Sequence, residues 1–140
     1  MEKYVYKTTF KVPFSDIDMM GHLNNAKYLT YFETARTNML FDFFGGFPRD
    51  GVSIIIAHAE IDYKSPGRWN DELTIKVRPT SVGTTSFVYE YEVTNQRGML
   101  VAQGKTVQVT YDYAKGTSIP IPEKARDMLE KQIEDTRDKA

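Results

Sequence analysis

The sequence contains no cysteine among its 140 residues. This absence excludes a disulfide framework, a thiolate metal site and a cysteine nucleophile, and it is typical of proteins in reducing compartments. The sequence also lacks any run of eighteen apolar residues that could span a membrane. Its first residues, MEKYVYKTTFKV, do not form the apolar core of a signal peptide. We therefore expect a cytoplasmic protein with no membrane partner.

The chain also lacks an excess of charge of either sign. Its formal net charge is -1, which gives no electrostatic reason to expect binding to nucleic acid or to an anionic membrane surface. Apolar residues make up 41% and charged residues 26% of the chain, as in ordinary globular proteins. A chain of this length predicts a single domain spanning residues 1–140.

The first half of the chain predicts one strand and one long helix. Tyr4 to Val12 is rich in β-branched and aromatic residues and ends at a proline. From Asn25 to Phe44 the apolar spacing becomes helical. The apolar face of this predicted helix carries Tyr28, Phe32, Ala35, Met39 and Phe43. Gly45 and Gly46 follow the last helical residue, as glycines that end helices do.

The second half alternates between apolar and polar residues, which predicts four antiparallel strands joined by short turns. The predicted inward faces carry Ile55, Ala57, Ala59, Ile61 and Tyr63, then Leu73, Ile75 and Val77, then Phe87, Tyr89, Tyr91 and Val93, then Val107, Val109, Tyr111 and Tyr113. A charged helix from Glu123 to Asp138 is predicted to lie at the periphery. The fold class is therefore α+β, a five-stranded antiparallel sheet with one long helix on its apolar face.

Three polar residues within these elements require an explanation. Glu33 and Arg36 are three positions apart on the long helix, so we expect an intrahelical ion pair, at the edge of the core or at a subunit contact. His58 alternates with the apolar face of its strand and is expected to face solvent or an interface.

The connection into the long helix holds the densest cluster of short polar side chains. Asn24 or Asn25 suits the N-cap position, and Leu23 and Tyr28 have the spacing of a hydrophobic staple. Helix capping does not explain Asp16, Asp18 or His22. A helix N-terminus offers free N–H groups to a developing oxyanion, and a carboxylate held nearby can activate water or attack directly. The loop therefore has the elements of an acyl-transfer site that needs no metal.

The motif D-x-D-x-x-G-H-x-N-N-x-x-Y-x-x-x-x-E, from Asp16 to Glu33, resembles that of hotdog-fold acyl-CoA thioesterases of the 4-hydroxybenzoyl-CoA thioesterase type. Acyl-ACP thioesterases carry a similar motif. The resemblance implies a five-stranded antiparallel sheet wrapped round one long central helix. It also implies hydrolysis of an acyl-CoA, here a fatty-acyl one, to the free acid and CoA.

The same resemblance assigns roles to individual residues. Asp18 falls on the catalytic aspartate, which acts as a general base or as a nucleophile. The backbone N–H of Asn25 falls on the donor that polarises the thioester carbonyl, and His22 on a histidine that orients water or the carboxylate. Asp16 has no catalytic counterpart and is expected to shape the loop through an Asx-type hydrogen bond. Met20 occupies a position that is asparagine in some acyl-ACP enzymes.

Substrate binding is assigned to Lys64, Arg68 and Tyr28. The turn SVGTT lacks the basic residues that hold the CoA phosphates in some members of the family, so these phosphates are assigned to Lys64 or Arg68, or alternatively to Arg97. The family implies no cofactor, and a homodimer or homotetramer. Two alternatives stay open, namely an acyl-ACP thioesterase and a non-catalytic module that binds acyl thioesters.

Overall fold

The computed structural model describes residues 1–46 and 51–138. Its elements, in chain order, are β1 (Tyr6–Lys11), α1 (Lys27–Phe44), β2 (Ser53–Tyr63), β3 (Glu72–Val82), β4 (Ser86–Thr94), β5 (Leu100–Asp112), β6 (Thr117–Ser118) and α2 (Glu123–Thr136). All strands join one antiparallel sheet in the order β1-β3-β4-β5-β2, with the two-residue β6 paired to β5. The predicted α+β architecture and its five main strands are confirmed.

Helix α1 packs across the inner face of this sheet. Four of the five apolar side chains predicted on its buried face are fully buried, and the fifth, Phe43, is half-buried. The helix ends where the glycines predicted, because Gly45 adopts a left-handed φ of 73° and donates its N–H to the Phe41 carbonyl at 2.8 Å. Its start, predicted at Asn25, is two residues later in the structure.

A glycine in β5 makes room for the aromatic centre of the core. The Phe32 ring lies flat against the Tyr91 ring, with centroids 4.3 Å apart and planes 6° from parallel. A Cβ atom added to Gly104 would lie 2.8 Å from the edge of the Phe32 ring and 2.5 Å from the Glu60 carbonyl oxygen. The close approach of helix and sheet at this point therefore requires glycine.

The prediction for β5 was wrong about which face points inward. The buried residues are Thr106, Gln108 and Thr110, whereas Val107 and Val109 are only half-buried on the outer face. These inward polar side chains are satisfied: the Gln108 amide donates to the Phe87 carbonyl, and the Thr110 hydroxyl to the Ile119 carbonyl. Burying them is tolerated because their hydrogen bonds are made.

Strand β2 also departs from the prediction, at a bulge. It pairs only with β5, and the register shifts between Ile56 and His58. The bulge shifts the alternation of side chains by one residue, so even-numbered residues face inward before it and odd-numbered residues after it. Ile54 and Ile56 therefore face inward rather than Ile55. Helix α1 leaves part of the inner face of β2 uncovered, since the side chains of Ile56 and Tyr63 are 42% and 47% exposed. This 11-residue strand is an edge of the sheet.

Helix α2 is not peripheral, and α1 is therefore not the single helix of the fold. Ala125 and Leu129 are buried where α2 packs against β3. Arg78 of β3 holds the end of α2, since its guanidinium donates to the Thr136 carbonyl at 2.9 Å and to the Asp138 carboxylate at 3.1 and 3.2 Å. Within the described residues, no helix is long and apolar enough to cross a membrane.

The ion pair expected between Glu33 and Arg36 does not form. The Arg36 side chain instead points into the core, where it donates to the Tyr91 hydroxyl at 3.0 Å. Glu33 stays exposed. His58 is exposed and lies 3.2 Å from the Glu60 carboxylate, as expected for a residue on the outer face.

Candidate active site

Asp16 fixes the loop before α1 onto the helix itself. The Tyr31 hydroxyl donates to one oxygen of its carboxylate, and the Lys27 ammonium lies 3.7 Å from the other. The Asp16 carbonyl accepts the N–H of Asn24 at 2.9 Å. Asp16 shapes the loop as predicted, but through two side chains of the helix rather than through an Asx-type bond.

Asp18 is the residue that makes the Asx-type bond. Its Oδ1 atom accepts the backbone N–H of Met20 at 2.9 Å and that of His22 at 3.2 Å. Its own N–H donates to the His22 carbonyl at 2.8 Å. The two bonds to Oδ1 fix the carboxylate in one place while it stays exposed, and Oδ2 has no hydrogen-bond partner among the described residues.

The start of α1 has a backbone donor that is free. The N-cap is Ala26 rather than Asn24 or Asn25, and the Ala26 N–H donates to Asn24 Oδ1 at 3.0 Å. The Asn25 carbonyl accepts the N–H of Tyr28 at 3.4 Å. The Asn25 N–H donates to no acceptor within the described ranges. It lies one residue before the N-cap, at the positive end of the helix dipole.

The wall behind this donor is tightly packed. Leu23 and Tyr28, predicted as a hydrophobic staple, are both 2% exposed and both lie against Gly67. A Cβ atom at Gly67 would be 3.0 Å from the Leu23 side chain and 3.1 Å from the Tyr28 hydroxyl, and the Gly67 carbonyl accepts the Leu23 N–H at 2.7 Å. Burial raises the pKa of Tyr28 to about 12, so this hydroxyl stays neutral at physiological pH.

These residues line a surface depression of about 410 Å³. Its lining consists of Asp18, Met20, His22, Leu23, Asn25, Tyr28, Tyr63, Lys64, Ser65 and Pro66. Five of the six site residues predicted from the sequence are therefore together, and only Arg68 lies outside the lining. A carboxylate, an imidazole, a free backbone donor and one ammonium group share this space.

Two further loop side chains, those of His22 and Met20, line the depression. His22 is half-buried, and its imidazole makes no hydrogen bond in the part of the chain that the structure describes. The imidazole is therefore not fixed by a hydrogen bond to the backbone. Met20, at the position that is asparagine in some related enzymes, is 78% exposed.

Sequence reasoning missed Tyr63, at the end of β2. Its hydroxyl donates to the Asn25 carbonyl at 3.0 Å, and its ring lies edge-on to the Tyr28 ring at 5.3 Å. Tyr63 therefore holds the first turn of α1 from the opposite side of the depression. Tyr63 falls on the apolar side of the alternation in β2, which is typical of an ordinary core residue. Its contact with Asn25 forms only when the end of β2 and the start of α1, which are distant in sequence, come together.

Residues 12–130 match the model of the thioesterase-like superfamily. The chain belongs to this superfamily. The acyl-CoA thioester hydrolase YbgC of Escherichia coli is 26% identical over 118 residues, which cover 82% of this chain and 88% of the relative. The long-chain acyl-CoA thioesterase FadM of Escherichia coli is 25% identical over 130 residues, covering 91% and 98%.

One solved thioesterase structure is similar to this chain in both fold and sequence. The structure from Thermus thermophilus, complexed with coenzyme A and Zn, superimposes with a TM-score of 0.83 at 30% identity over 96% of this chain and 98% of that one. The thioesterase resemblance inferred from the loop motif is confirmed, and the antiparallel sheet fits the hotdog fold. In this chain, no group of three histidine, aspartate or glutamate residues within the described ranges could hold a metal ion.

Proposed function

We propose that this member of the thioesterase-like superfamily hydrolyses fatty-acyl-CoA thioesters to the free acid and CoA. One observation carries the proposal. A carboxylate fixed by two backbone N–H groups, that of Asp18, shares a depression with the free N–H of Asn25 at a helix start. The acyl-CoA activities named for the two bacterial relatives, one of them on long chains, support the same substrate class.

The chemistry follows from these two groups. The thioester carbonyl lies against the helix N-terminus, where the Asn25 N–H and the positive end of the helix dipole stabilise the oxygen as it becomes negative. From the other side, Asp18 either removes a proton from a water molecule that attacks the carbonyl carbon, or attacks that carbon itself to form an anhydride that water then hydrolyses to the free acid. The thiolate of CoA then leaves, and a thiolate needs little help from an acid.

His22 and Tyr63 assist without bonding to the carbonyl. The His22 imidazole, which has no other hydrogen-bond partner among the described residues, orients the attacking water. Tyr63 holds the Asn25 peptide in place through its bond to the Asn25 carbonyl at 3.0 Å. Replacing His22 by alanine should lower kcat and change KM by a smaller factor. A change confined to KM would contradict this role.

Lys64 binds the CoA portion of the substrate at the rim. It is exposed and lines the depression, whereas Arg68 and Arg97 do not. Lys64→Ala should therefore raise KM for an acyl-CoA but leave KM unchanged for the same acyl group on N-acetylcysteamine, which has no phosphates. An equal rise for both thioesters would exclude a phosphate contact.

A second copy of the chain completes the site along β2. This strand is an 11-residue edge with exposed backbone groups and an uncovered inner face, and such edges are normally paired or protected. Pairing two copies of β2 about a two-fold axis forms a homodimer, or half of a homotetramer, and shields the exposed Asp18 from bulk water. A monomer in light scattering at micromolar concentration would refute this assembly.

The experiment that tests the activity is release of free thiol from a series of acyl-CoAs. The series runs from acetyl to palmitoyl and includes benzoyl-CoA and a matched acyl-ACP. We expect turnover of fatty-acyl-CoAs at rates well above the acyl-ACP. Tight binding of every acyl-CoA without thiol release would instead identify a non-catalytic acyl-thioester-binding module.

A further inference from the structure

A second depression lies at the opposite end of α1 from the active site. At the active-site end, Tyr63 at the end of β2 bonds to Asn25 at the start of α1. At the other end, Leu40 and Phe41 of α1 and Ile54 and Ile56 of β2 line a depression of about 370 Å³. Helix and strand therefore run antiparallel side by side, with one depression at each end.

Arg36 is the cation of this second depression. Its side chain is only 7% exposed, yet it lines the depression together with Glu33 and Thr37. A guanidinium has five N–H donors, and its hydrogen bond within the described residues is the one to the Tyr91 hydroxyl. No carboxylate of the described residues lies within 4.0 Å of it.

A buried hydroxyl close to Arg36 is also unsatisfied. Tyr89 is completely buried, and its hydroxyl has no hydrogen-bond partner among the described residues. The charge of Arg36 acts on the hydroxyls of both Tyr89 and Tyr91, and opposes the rise in pKa that burial causes. A buried guanidinium that has no carboxylate partner among the described residues is costly, unless a ligand supplies the anion.

The remaining lining is apolar. Leu40 and Ile54 form the inner part, and the exposed Phe41 and Ile56, at 65% and 42% exposure, form the outer part. Such a lining suits the methylene groups of an acyl chain, while the guanidinium suits a carboxylate, which it can bind through two parallel N–H bonds. Glu33 lies on the exposed side and disfavours an anion there.

The separation of Asn25 and Arg36 along the helix sets the length of the chain. Arg36 lies three helical turns beyond Asn25, roughly 16 Å along the axis at about 1.5 Å per residue. An extended chain of about a dozen carbons covers this distance, because carbon–carbon bonds are about 1.5 Å long and alternate in direction.

We propose that Arg36 is a specificity residue that binds a carboxylate at the far end of the acyl chain, so that ω-carboxyacyl-CoAs of about a dozen carbons are preferred substrates. This inference rests on the proposed thioesterase activity and names its substrate class. Arg36 does not touch the reacting carbonyl, so its effect falls on substrate binding rather than on the chemical step.

The test compares two thioesters that differ only at the chain end, dodecanoyl-CoA and the mono-CoA thioester of dodecanedioic acid. A hydrogen bond to a charged group contributes enough to change binding by about tenfold or more. We expect the wild-type kcat/KM for the ω-carboxylated substrate to be about tenfold higher. We expect Arg36→Gln to abolish that preference through KM, so that the kcat/KM values for the two substrates become equal to within about twofold.

Glu33→Gln is the matched control, because it removes a charge from the same depression and should leave the preference intact or increase it. Equal wild-type turnover of the two substrates would overturn the proposal. So would an equal loss of both activities in Arg36→Gln, which would make Arg36 a structural residue. If Arg36→Gln does not fold, the wild-type comparison and Arg36→Lys, which keeps the charge and should retain part of the preference, decide the matter.

If the proposed thioesterase activity is absent, neither substrate releases thiol. This outcome differs from failure of the Arg36 subsite, in which both substrates are hydrolysed equally. Where neither is hydrolysed, calorimetric binding of free dodecanoate to the wild-type protein, with uncharged dodecan-1-ol as the control, still tests the subsite. Tighter binding of the acid supports it, and equal or weaker binding overturns it.

Discussion

The two aspartates of the loop should respond to mutation in opposite ways. Asp16 is bonded to the Tyr31 hydroxyl and lies 3.7 Å from the Lys27 ammonium, whereas Asp18 is exposed and bonds only to the backbone of its own loop. We therefore expect Asp16 to determine stability and Asp18 to determine activity.

The magnitude for Asp16 follows from its two partners. A hydrogen bond to a charged group contributes about 1.5–3 kcal/mol. The pair with Lys27, whose side chain is 43% exposed, adds little, since exposed ion pairs contribute about 0–1 kcal/mol. Asp16→Ala should therefore lower the free energy of unfolding by about 2–3 kcal/mol, and Tyr31→Phe by slightly less.

A double-mutant cycle isolates the bond between these two side chains. Urea unfolding of the wild type, Asp16→Ala, Tyr31→Phe and the double variant, all at one protein concentration, gives the coupling energy. We expect a coupling of at least about 1 kcal/mol, because each single variant already breaks the same bond. Asp18→Asn serves as the control, and its amide oxygen can still accept the two N–H groups.

Two results would refute this reasoning. Additive effects of Asp16→Ala and Tyr31→Phe, within about 0.5 kcal/mol, would mean that the two residues do not support each other. A large loss of stability in Asp18→Asn would mean that its carboxylate is structural, which would remove the basis for its assignment to catalysis.

Two further predictions concern the frame around the site. Gly104→Ala should lower the free energy of unfolding by about 1–3 kcal/mol, because its Cβ would lie 2.5 Å from a backbone oxygen; a stability equal to wild type in urea unfolding would contradict the close packing there. The hydrogen bond and charge of Arg78 hold the pKa of the Asp138 carboxyl below its usual value of 3.8. The stabilisation that the ion pair between Arg78 and Asp138 contributes is therefore present above pH 3.8 and is lost as the pH falls through the lowered pKa of Asp138. The Tm difference between wild type and Asp138→Asn should therefore be positive at pH 7 and disappear as the pH falls through the lowered pKa of Asp138; a difference independent of pH would exclude the contact with Arg78.

Local patterns were sufficient to predict the helix and the composition of the site. The stripe from Tyr28 to Met39 repeats at helical spacing, and Gly45 has the conformation that ends a helix, so both are properties of neighbouring residues. The predicted residues Asp18, His22 and Asn25 come together because they are close in sequence and precede the same helix.

The faces of the outer strands could not be predicted in the same way. Alternation shows that a strand has two different faces, but not which one meets the helix. In β5 the inner face carries Thr106 and Gln108, whose hydrogen bonds make their burial possible. Gly104 was the available signal, since a glycine inside a strand indicates close approach of another group. The contact of Tyr63 with Asn25 joins segments 38 residues apart and left no local trace.

The central claim is that Asp18 carries the chemistry in a depression whose oxyanion donor is the Asn25 N–H. The most direct measurement is thiol release from a fatty-acyl-CoA by Asp18→Asn, with Asp16→Asn as the matched control in the same loop. We expect Asp18→Asn to fold like the wild type and to lose turnover by at least about a hundredfold, as expected when a positioned base or nucleophile is removed, while Asp16→Asn retains measurable turnover. Undiminished turnover in Asp18→Asn would contradict the account.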